Sequence, residues 1–352
     1  MKGMAMTIVE NRNRITGGVD THLKFHVAAA IDANGATLGI ETFPVGSRHY
    51  DELASWLLGF GEIDLVGVEG TGSYGAGLAR HLRRAGLDVV EVDRPNRQMR
   101  SRQGKSDHVD AVAAARAALA GTATGLPKHR DGNVEAIRVL MVARRSAVDE
   151  RIQILNQMRH LCFCAPDDIR ARFDGLSPNA FIHATSTLRP RAGTDVVRYT
   201  TLMTLRELGG RAKNLHEENK RLNKLLRPLI RETAPGLLGV YGVGFDTAAK
   251  LLVAAGDNPE RLHSEAAWAH MCGVSPIQAS SGKIQRHRLN RGGNRQANSA
   301  LYTIMLTRMR HDQATRDYIA RRSTEGKTMG EISRMLRRYI SREIYHHLPR
   351  LA

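Results

Sequence analysis

Four acidic residues in the first third of the sequence have the types and spacing of a metal-binding site. Asp20 and Glu69 each end an apolar run typical of a β-strand, in the segments GVDTH and VEGTGSYG. Asp107 and Asp110, in the segment KSDHVDA, are three residues apart on a predicted helix, so their side chains project from one face. Four converging carboxylates repel one another unless a divalent cation neutralises them. Oxygen ligands suit Mg²⁺, so the set predicts a Mg²⁺ site that also binds substrate phosphate.

Each of these acids also has a simpler interpretation, because carboxylates at strand ends and helix starts are often only solvated or capping groups. Asp32, Asp64 and Asp93 lie near other predicted strand ends and are the expected decoys. The glycines that follow Glu69 could instead cradle a phosphate at a helix N-terminus, as in nucleotide-binding domains of the actin or sugar-kinase type. That segment lacks the Lys-Ser/Thr pair of a P-loop, so we expect its glycines to let a nucleic-acid backbone approach Glu69 closely.

A serine followed by a glycine in the last third is the second candidate for chemistry. Ser281 and Gly282 lie in a turn-rich stretch, where the glycine would let the backbone come close to a substrate. Most such serines are turn residues, and no neighbouring Asp-His pair indicates a hydrolase triad. Basic residues that could hold phosphate and stabilise a crowded transition state follow closely: Lys283, Arg286, Arg288, Arg291 and Arg295.

The order of the predicted elements indicates what would position the acids. From Arg14 onwards, three strand-like runs are followed by alternating helices and strands, in the order β-β-β-α-β-α-β-α. The last helix is rich in alanine, with Ser106 as its expected N-cap. This is the order of a ribonuclease-H-like fold, in which a mixed sheet carries helices on both faces. The predicted fold class is therefore α/β plus α, with the α/β domain over residues 1–130.

The middle of the chain, residues 131–231, is predicted to be helical and partly coiled. Its second long helix carries positions at alternating spacings of three and four, typical of a coiled-coil seam. Those positions are Leu205, Leu208, Ala212, Leu215, Asn219, Leu222, Leu226 and Leu229. A polar residue in a seam, here Asn219, tends to fix register and partner number. We expect a helical hairpin that dimerises; the alternative is a helix packed within its own domain.

Residues 232–352 have features of a domain that handles DNA. Gly242 and Gly244 have the spacing of a helix-hairpin-helix turn whose backbone amides could face a phosphate, and a plain helical packing unit fits the pattern equally well. From Ser281 to Ala352 the net charge is +11, out of +17 for the whole chain. A basic surface of this kind collects the phosphate backbone of a polyanion by releasing counterions.

The composition of the 352-residue chain excludes several other classes of protein. A hydrophobic share of 42% with 25% charged residues is ordinary for a globular protein and argues against disorder. Aromatic residues make up only 5%, so strand binding through stacked aromatic platforms is not expected. Three cysteines without a CxxC pair cannot build a disulfide framework or a four-thiolate zinc site. We expect a soluble cytoplasmic protein, since no signal peptide or membrane-spanning stretch is evident.

The motifs GVDTH, VEGTGSYG, KSDHVDA, GVSPIQASSGK and GGNR together resemble those of the DEDD-type insertion-sequence transposases, also called bridge-RNA-guided recombinases. The resemblance runs from about Ile15 almost to the end of the sequence. It implies a RuvC-like metal-binding domain over residues 1–130, a coiled-coil insertion over 131–231 and a transposase domain over 232–352 whose serine attacks DNA. It also implies donor and target DNA, a structured non-coding guide RNA, and a homo-oligomer, a dimer or tetramer in which one protomer supplies the acids and another the serine.

The resemblance assigns the metal-binding tetrad to the four acids and the nucleophile to Ser281, because the family pattern places a serine directly before a glycine. Ser280 is the competing nucleophile, since this chain has two serines in a row. A serine ester to phosphate would store the energy of the broken phosphodiester, so strand exchange would need no ATP. Two alternatives stay open: a metal-dependent Holliday-junction-type nuclease that uses water, and a basic RNA-binding scaffold without enzymatic activity.

Overall fold

The computed structural model describes two compact units of the chain. The sheet unit comprises residues 14–132, with gaps, together with Ala255–Ser264, and the helical unit comprises Asn133–Ala254 and Glu265–Pro349, again with gaps. The residues that the structure describes are 14–92, 106–191, 193, 195–280, 287–290 and 292–349.

The sheet unit contains a five-stranded mixed sheet. Its elements in chain order are β1 (Arg14–Thr21), β2 (Phe25–Asp32), β3 (Thr37–Pro44), α1 (Ser47–Leu58), β4 (Glu62–Glu69), α2 (Ala76–Arg84), β5 (Val89–Val92) and α3 (Asp107–Leu119). The strands lie in the order β3-β2-β1-β4-β5, with antiparallel β1–β2 and β2–β3 pairs and parallel β1–β4 and β4–β5 pairs. This arrangement confirms the predicted order of elements and the mixed sheet.

One face of the sheet forms the main core of this unit. Side chains alternate between the two faces of a strand, so Ile15 and Val19 of the central strand β1 point to this core. Helices α1 and α2 cover the same face with leucines. The buried residues that pack together here include Ile15, Val19, Leu53, Leu57, Val66, Val68, Leu78 and Leu82. Each fully buried leucine contributes about 1.5–3 kcal/mol to stability, so this core holds α1 and α2 on the sheet.

The opposite face of the sheet is covered by α3, which packs unusually close to the strands. A Cβ built on Gly67 of β4 would lie 2.6 Å from the Ala114 carbonyl oxygen, and one built on Gly18 of β1 would overlap the backbone of the helix. The helix meets the sheet with its small residues, of which Ala111 and Ala115 are fully buried. Because glycines of the strands face alanines of the helix, α3 lies close against the strand ends. Helices therefore lie on both faces of the sheet, as predicted.

A segment from late in the sequence completes the sheet unit. Arg261 Nε donates a hydrogen bond to the Leu126 carbonyl oxygen (2.9 Å), and Asn258 Nδ2 donates one to the Pro127 carbonyl oxygen (3.1 Å). Arg261 also lies 3.6 Å from a Glu91 carboxylate oxygen at the β5 edge of the sheet. The segment Ala255–Ser264 thus satisfies backbone groups that the first 132 residues leave open.

The helical unit is built around two long helices. Its elements are α4 (Asn133–Phe163), α5 (Asp167–Phe173), α6 (Pro178–Ser186), α7 (Val196–Thr233), α8 (Pro235–Gly239), α9 (Phe245–Ala255), α10 (Glu265–Met271), β6 (Ile277–Gln278), β7 (His287–Arg288), α11 (Arg295–His311), α12 (Gln313–Thr324) and α13 (Met329–Tyr345). No helix in the described part of the chain is long and apolar enough to cross a membrane.

The predicted coiled-coil seam of α7 packs against the chain's own helices. Leu205 and Ala212 are fully buried in a core that also contains Met158 of α4. Asn219 Oδ1 accepts a hydrogen bond from Asn223 Nδ2 (3.2 Å) of the next turn, so this polar position is also used within the chain. These contacts are those of a helix packed within its own domain, which is the alternative to a dimer seam. Dimerisation stays a prediction.

The glycines of α7 and of the α8–α9 turn have local packing roles. A Cβ built on Gly209 would lie 2.7 Å from the Ser186 backbone nitrogen, so this glycine lets α6 approach α7. Gly242 has a positive φ of 85° in the turn between α8 and α9, as its place in the predicted turn requires. The Gly244 amide donates to Thr247 Oγ1 (2.9 Å), so it has a partner within the chain, and phosphate binding by this turn stays a prediction.

Candidate metal centre

Asp20 and Glu69 end neighbouring parallel strands on the same face of the sheet. Val19 of β1 pairs with Val68 of β4, and the two acids are the next residue of each strand, on the face that α3 covers. The residues are nearly buried, with 7% and 6% of their surface exposed. Thr21 Oγ1 donates a hydrogen bond to the Glu69 carbonyl oxygen (2.8 Å), which holds the two strand ends together. Carboxylates are rarely buried like this unless they are paired or bind a cation.

The first turn of α3 brings two further acids to this face. Asp107 begins the helix and Asp110 follows within the same turn; both are half-buried. A helix N-terminus carries partial positive charge, which favours carboxylates at these positions. Ser106 occupies the predicted N-cap position with an extended backbone, but its side chain makes no capping hydrogen bond.

The Asp20 carboxyl interacts electrostatically with both acids of the first turn of α3, Asp107 and Asp110. Burial raises the pKa of the Asp20 carboxyl above its usual range, and the negative charges of Asp110 and Asp107 raise it further. His22 opposes this shift through its own interaction with Asp20. Like charges gathered in a poorly solvated place are the electrostatic condition that a bound divalent cation relieves.

His22, for which the sequence predicts no role, lies between two of the predicted acids. Its Nε2 is 3.1 Å from Asp20 Oδ2 and 3.4 Å from Asp107 Oδ2. One potential ligand atom from each of these three residues lies within 4.8 Å of the other two. The sequence signal for His22 is its Asp-x-His spacing from Asp20 at a strand end, because residues two apart on a strand face the same side of the sheet. The group has the donor atoms and spacing to hold a divalent cation.

Two of the three predicted decoys, Asp32 and Asp64, have structural roles. Asp32 Oδ1 accepts hydrogen bonds from the backbone amides of Asn34 (2.9 Å) and Ala36 (2.8 Å) in the β2–β3 turn. Asp64 forms an ion pair with Arg14 (2.9 Å) near the start of β4, at the other end of that strand from Glu69. Asp93 lies outside the described residues.

The predicted serine site is only partly described. Ser281, Lys283, Arg286 and Arg291 lie outside the described residues, as does Gly282. Ser280 is exposed, Arg288 is in β7 and Arg295 begins α11. Gln278 of β6 pairs with His287 of β7, and Ser281 lies between these two residues in the sequence.

Comparison with known proteins gives two matches to transposase families. A family model for DEDD transposases of the IS110 type, described as a transposase, matches residues 17–162, and a second, described as the transposase IS116/IS110/IS902 family, matches residues 234–320. Together they span about two thirds of the chain. The first segment contains the four predicted acids, and the second contains Ser281 and the basic residues that follow it.

A curated relative is similar over a shorter stretch. The protein named insertion element IS110 uncharacterized 43.6 kDa protein, from Streptomyces coelicolor, is 34% identical over 131 residues. The aligned stretch is 36% of this chain and 32% of the relative, so the similarity spans about a third of the relative's length.

Proposed function

The chain belongs to the DEDD-type transposases of insertion sequences, and from this premise we propose that it is an RNA-guided recombinase that breaks and rejoins DNA with an acidic metal site and a serine nucleophile. The observation that supports the metal-dependent part of this proposal is the cluster of Asp20, His22 and Asp107 beside Asp110 and the buried end of β4, and the serine nucleophile and the guide RNA rest on the family resemblance. In this reading residues 1–130 are a RuvC-like metal-binding domain, 131–231 a coiled-coil insertion and 232–352 a transposase domain.

The metal would be Mg²⁺, held by Asp20, Glu69, Asp107 and Asp110. Four carboxylates supply hard oxygen ligands, which Mg²⁺ prefers, and their mutual repulsion favours binding of a small divalent cation. When bound, Mg²⁺ supplies positive charge that polarises the scissile phosphate. The burial of Asp20 supports this role, since its carboxylate lacks the water that would otherwise solvate it.

We assign His22 the role of orienting the carboxylates. An imidazole nitrogen is a more usual ligand of transition metals than of Mg²⁺, so direct ligation is the less favoured role here. With its Nε2 within 3.4 Å of both Asp20 and Asp107, a ring N–H can donate to either carboxylate and hold the two at a fixed separation. Partners of this kind are usual around metal-binding carboxylates.

Ser281 is the proposed nucleophile. Its hydroxyl attacks a phosphodiester phosphorus, its proton passes to the leaving oxygen, and one strand end is released as a free hydroxyl. Attack of a hydroxyl from a second strand on the serine ester then restores both a phosphodiester and the serine. The phosphate-holding residues of this step are Lys283, Arg286, Arg288, Arg291 and Arg295.

The proposed partners are donor and target DNA, a structured non-coding guide RNA and further copies of the chain. The net charge of +17 supports polyanion binding. A dimer or tetramer rests on the family resemblance alone, because the seam of α7 already packs within the chain. The cytoplasm is the proposed location, since it gives access to DNA.

A covalent protein–DNA adduct tests the serine mechanism directly. A nicked or mismatched substrate that blocks religation should give a slowly migrating labelled species on a denaturing gel, and Ser281→Ala should abolish it because alanine has no oxygen to attack with. The matched control is Ser280→Ala, which should keep the adduct. Cleavage without an adduct in any variant would favour the water-using nuclease, and nucleic-acid binding without cleavage would favour the non-enzymatic scaffold.

A further inference from the structure

A strongly basic cleft lies in the helical unit, between the β6–β7 hairpin and α13. Its volume is about 710 Å³. The charged side chains that line it include five Lys and Arg residues but a single acid, Glu331. The five basic residues are Arg288, Lys327, Arg334, Arg337 and Arg338.

The acids near the cleft are already engaged, and two of its arginines are not paired with acids. Glu265 of α10 pairs with Arg338 through both carboxylate oxygens. Glu331 caps its own helix, where its Oε2 accepts a hydrogen bond from the Thr328 amide (2.9 Å). In the described part of the chain, the ion pairs of α13 involve Arg338, Arg342 and Glu343 but neither Arg334 nor Arg337. This wall of the cleft therefore carries a net positive charge, which Glu331 offsets only in part through its interactions with Lys327 and Arg334.

Arg337 is held in place by a fixed polar chain. Its Nη1 donates to Asn298 Oδ1 (2.9 Å), and Asn298 Nδ2 donates to the Cys272 carbonyl oxygen (2.9 Å). Burial lowers the pKa of the Arg337 guanidinium, and the positive charge of Arg334 lowers it further. Two neighbouring guanidinium groups, one of them half-buried and pre-oriented, repel each other. An anion bound between them replaces this repulsion with attraction.

An aromatic ring and the chain path add to the character of the cleft. Tyr339 lines the same cleft, is 47% exposed, and packs edge-on against Tyr318 at 5.8 Å between ring centroids. A ring held in this way can stack on an unpaired nucleobase. His287 also lines the cleft and pairs with Gln278, which precedes Ser281 by three residues in the sequence.

We propose that this cleft binds the backbone of single-stranded DNA next to the point of cleavage, with Arg334 and Arg337 on phosphates and Tyr339 on a base. The proposal rests on the proposed function in one respect, since Ser281 as the DNA nucleophile is what favours DNA over RNA. The α13 wall of the cleft lies beyond both matched segments, 17–162 and 234–320, whereas the wall formed by residues 273–276 and 287–290 lies within the second.

The test measures binding without chemistry, in protein that carries Ser281→Ala. The probe is a fluorescein-labelled single-stranded DNA of about 20 nucleotides, long enough to span a protein groove, and its RNA counterpart of the same sequence. The variant is Arg334→Ala with Arg337→Ala. The matched control is Arg206→Ala with Arg211→Ala, which removes the same charge from exposed positions of α7.

We expect the cleft variant to bind the DNA about 10-fold more weakly than the control variant at moderate salt. The slope of log affinity against log salt should fall by about 0.7 for each lost phosphate contact. The RNA should lose less affinity than the DNA, because the proposal assigns this cleft to DNA and leaves the guide RNA to other basic surfaces. Arg334→Ala alone, at an exposed position, should show the same trend without disturbing the packing of Arg337, and melting curves establish that each variant is folded.

Two results would overturn the proposal. DNA binding equal to that of the control variant would remove the cleft from the DNA surface, and an RNA loss as large as the DNA loss would make it an RNA site or a general polyanion site. Neither result depends on catalysis, because the serine is absent throughout. Failure of the adduct experiment would leave this measurement intact, so the two proposals can fail separately.

Discussion

Gly18 of β1 lies directly against Ala115 of α3, so close that a Cβ built on the glycine would be 2.6 Å from the alanine methyl carbon. The same helix begins with Asp107, and its first turn carries Asp110. The height of the helix above the sheet, and hence the distance from these carboxylates to Asp20, depends on this absence of a side chain.

Gly18→Ala should therefore destabilise the protein by about 1–3 kcal/mol, the usual effect of overpacking a tight contact. It should also weaken divalent-cation binding, because α3 must move away from the strand ends. Chemical denaturation and calorimetric titration with Mg²⁺ measure the two effects. Gly17→Ala is the matched control: its added Cβ meets only the ends of the Leu57 and Val66 side chains, at 3.1 and 3.3 Å, so it should perturb both less. Equal effects at the two glycines would contradict the argument.

Asp20→Asn should separate metal binding from folding. Without metal, the variant should melt at the same or a slightly higher temperature than wild type, because one charge of a repelling group is gone. Wild type should gain about 2–3 kcal/mol at Mg²⁺ concentrations on the order of 100 times the dissociation constant. The variant should gain much less and should lose DNA cleavage. Asp64→Asn, at the ion pair with Arg14, is the control that should keep the full Mg²⁺ response; an equal response in both variants would remove Asp20 from the site.

His22→Ala should lower the affinity for Mg²⁺ by about 10- to 100-fold, the usual effect of removing a group that orients metal ligands. The reason is that Asp20 and Asp107 lose the nitrogen that lies within 3.4 Å of both. Isothermal titration measures this without relying on activity. His108→Ala, at an exposed position of α3, should leave the affinity unchanged. Wild-type affinity in His22→Ala would show that the carboxylates hold their positions without the ring.

His26 should make the protein sensitive to acid. It is fully buried, stacks on Tyr50 at 5.7 Å, and burial lowers its pKa to about 4, whereas the unfolded chain has an ordinary value near 6.5. Between these values the unfolded state binds more protons, so stability falls as the pH falls from about 6.5 towards 4 and is fully present above 6.5. The difference between the two pKa values corresponds to about 3 kcal/mol in the free energy of unfolding.

His26→Phe should remove that part of the pH dependence, because the ring remains and the titrating nitrogen is lost. Urea unfolding of both proteins at neutral pH and near pH 4.5 provides the comparison. The quantity compared is the loss of unfolding free energy between the two pH values in each protein. A wild type that loses no more stability than the variant over this range would show that His26 is not the titrating group.

The order of strands and helices along the chain could be predicted from the sequence, because it rests on local patterns. Apolar runs of strand length mark β1 and β4, and an acid at the end of each run is visible in the letters. His22 was missed because its significance depends on Asp107, which is distant in sequence and reaches it only through the packing of α3.

Other features needed tertiary information that periodicity does not contain. The heptad-like pattern of α7 shows which side is apolar, but the same pattern suits a second copy or the chain's own α4. Arg334 and Arg337 are three apart on one helix, as many solvated arginines are. Only the position of α13 beside the β6–β7 hairpin makes them part of a cleft.

The segment Ala255–Ser264 determines when folding of the sheet unit can be completed during synthesis. Its bonds to the Leu126 and Pro127 carbonyl oxygens close the sheet unit, yet a ribosome must first make the whole of Asn133–Ala254. At ordinary translation rates the delay is on the order of ten seconds. The first part of the chain to be made is therefore not the first to be finished, and a nascent chain interrupted within the long helices leaves the Leu126 and Pro127 carbonyl oxygens without these donors.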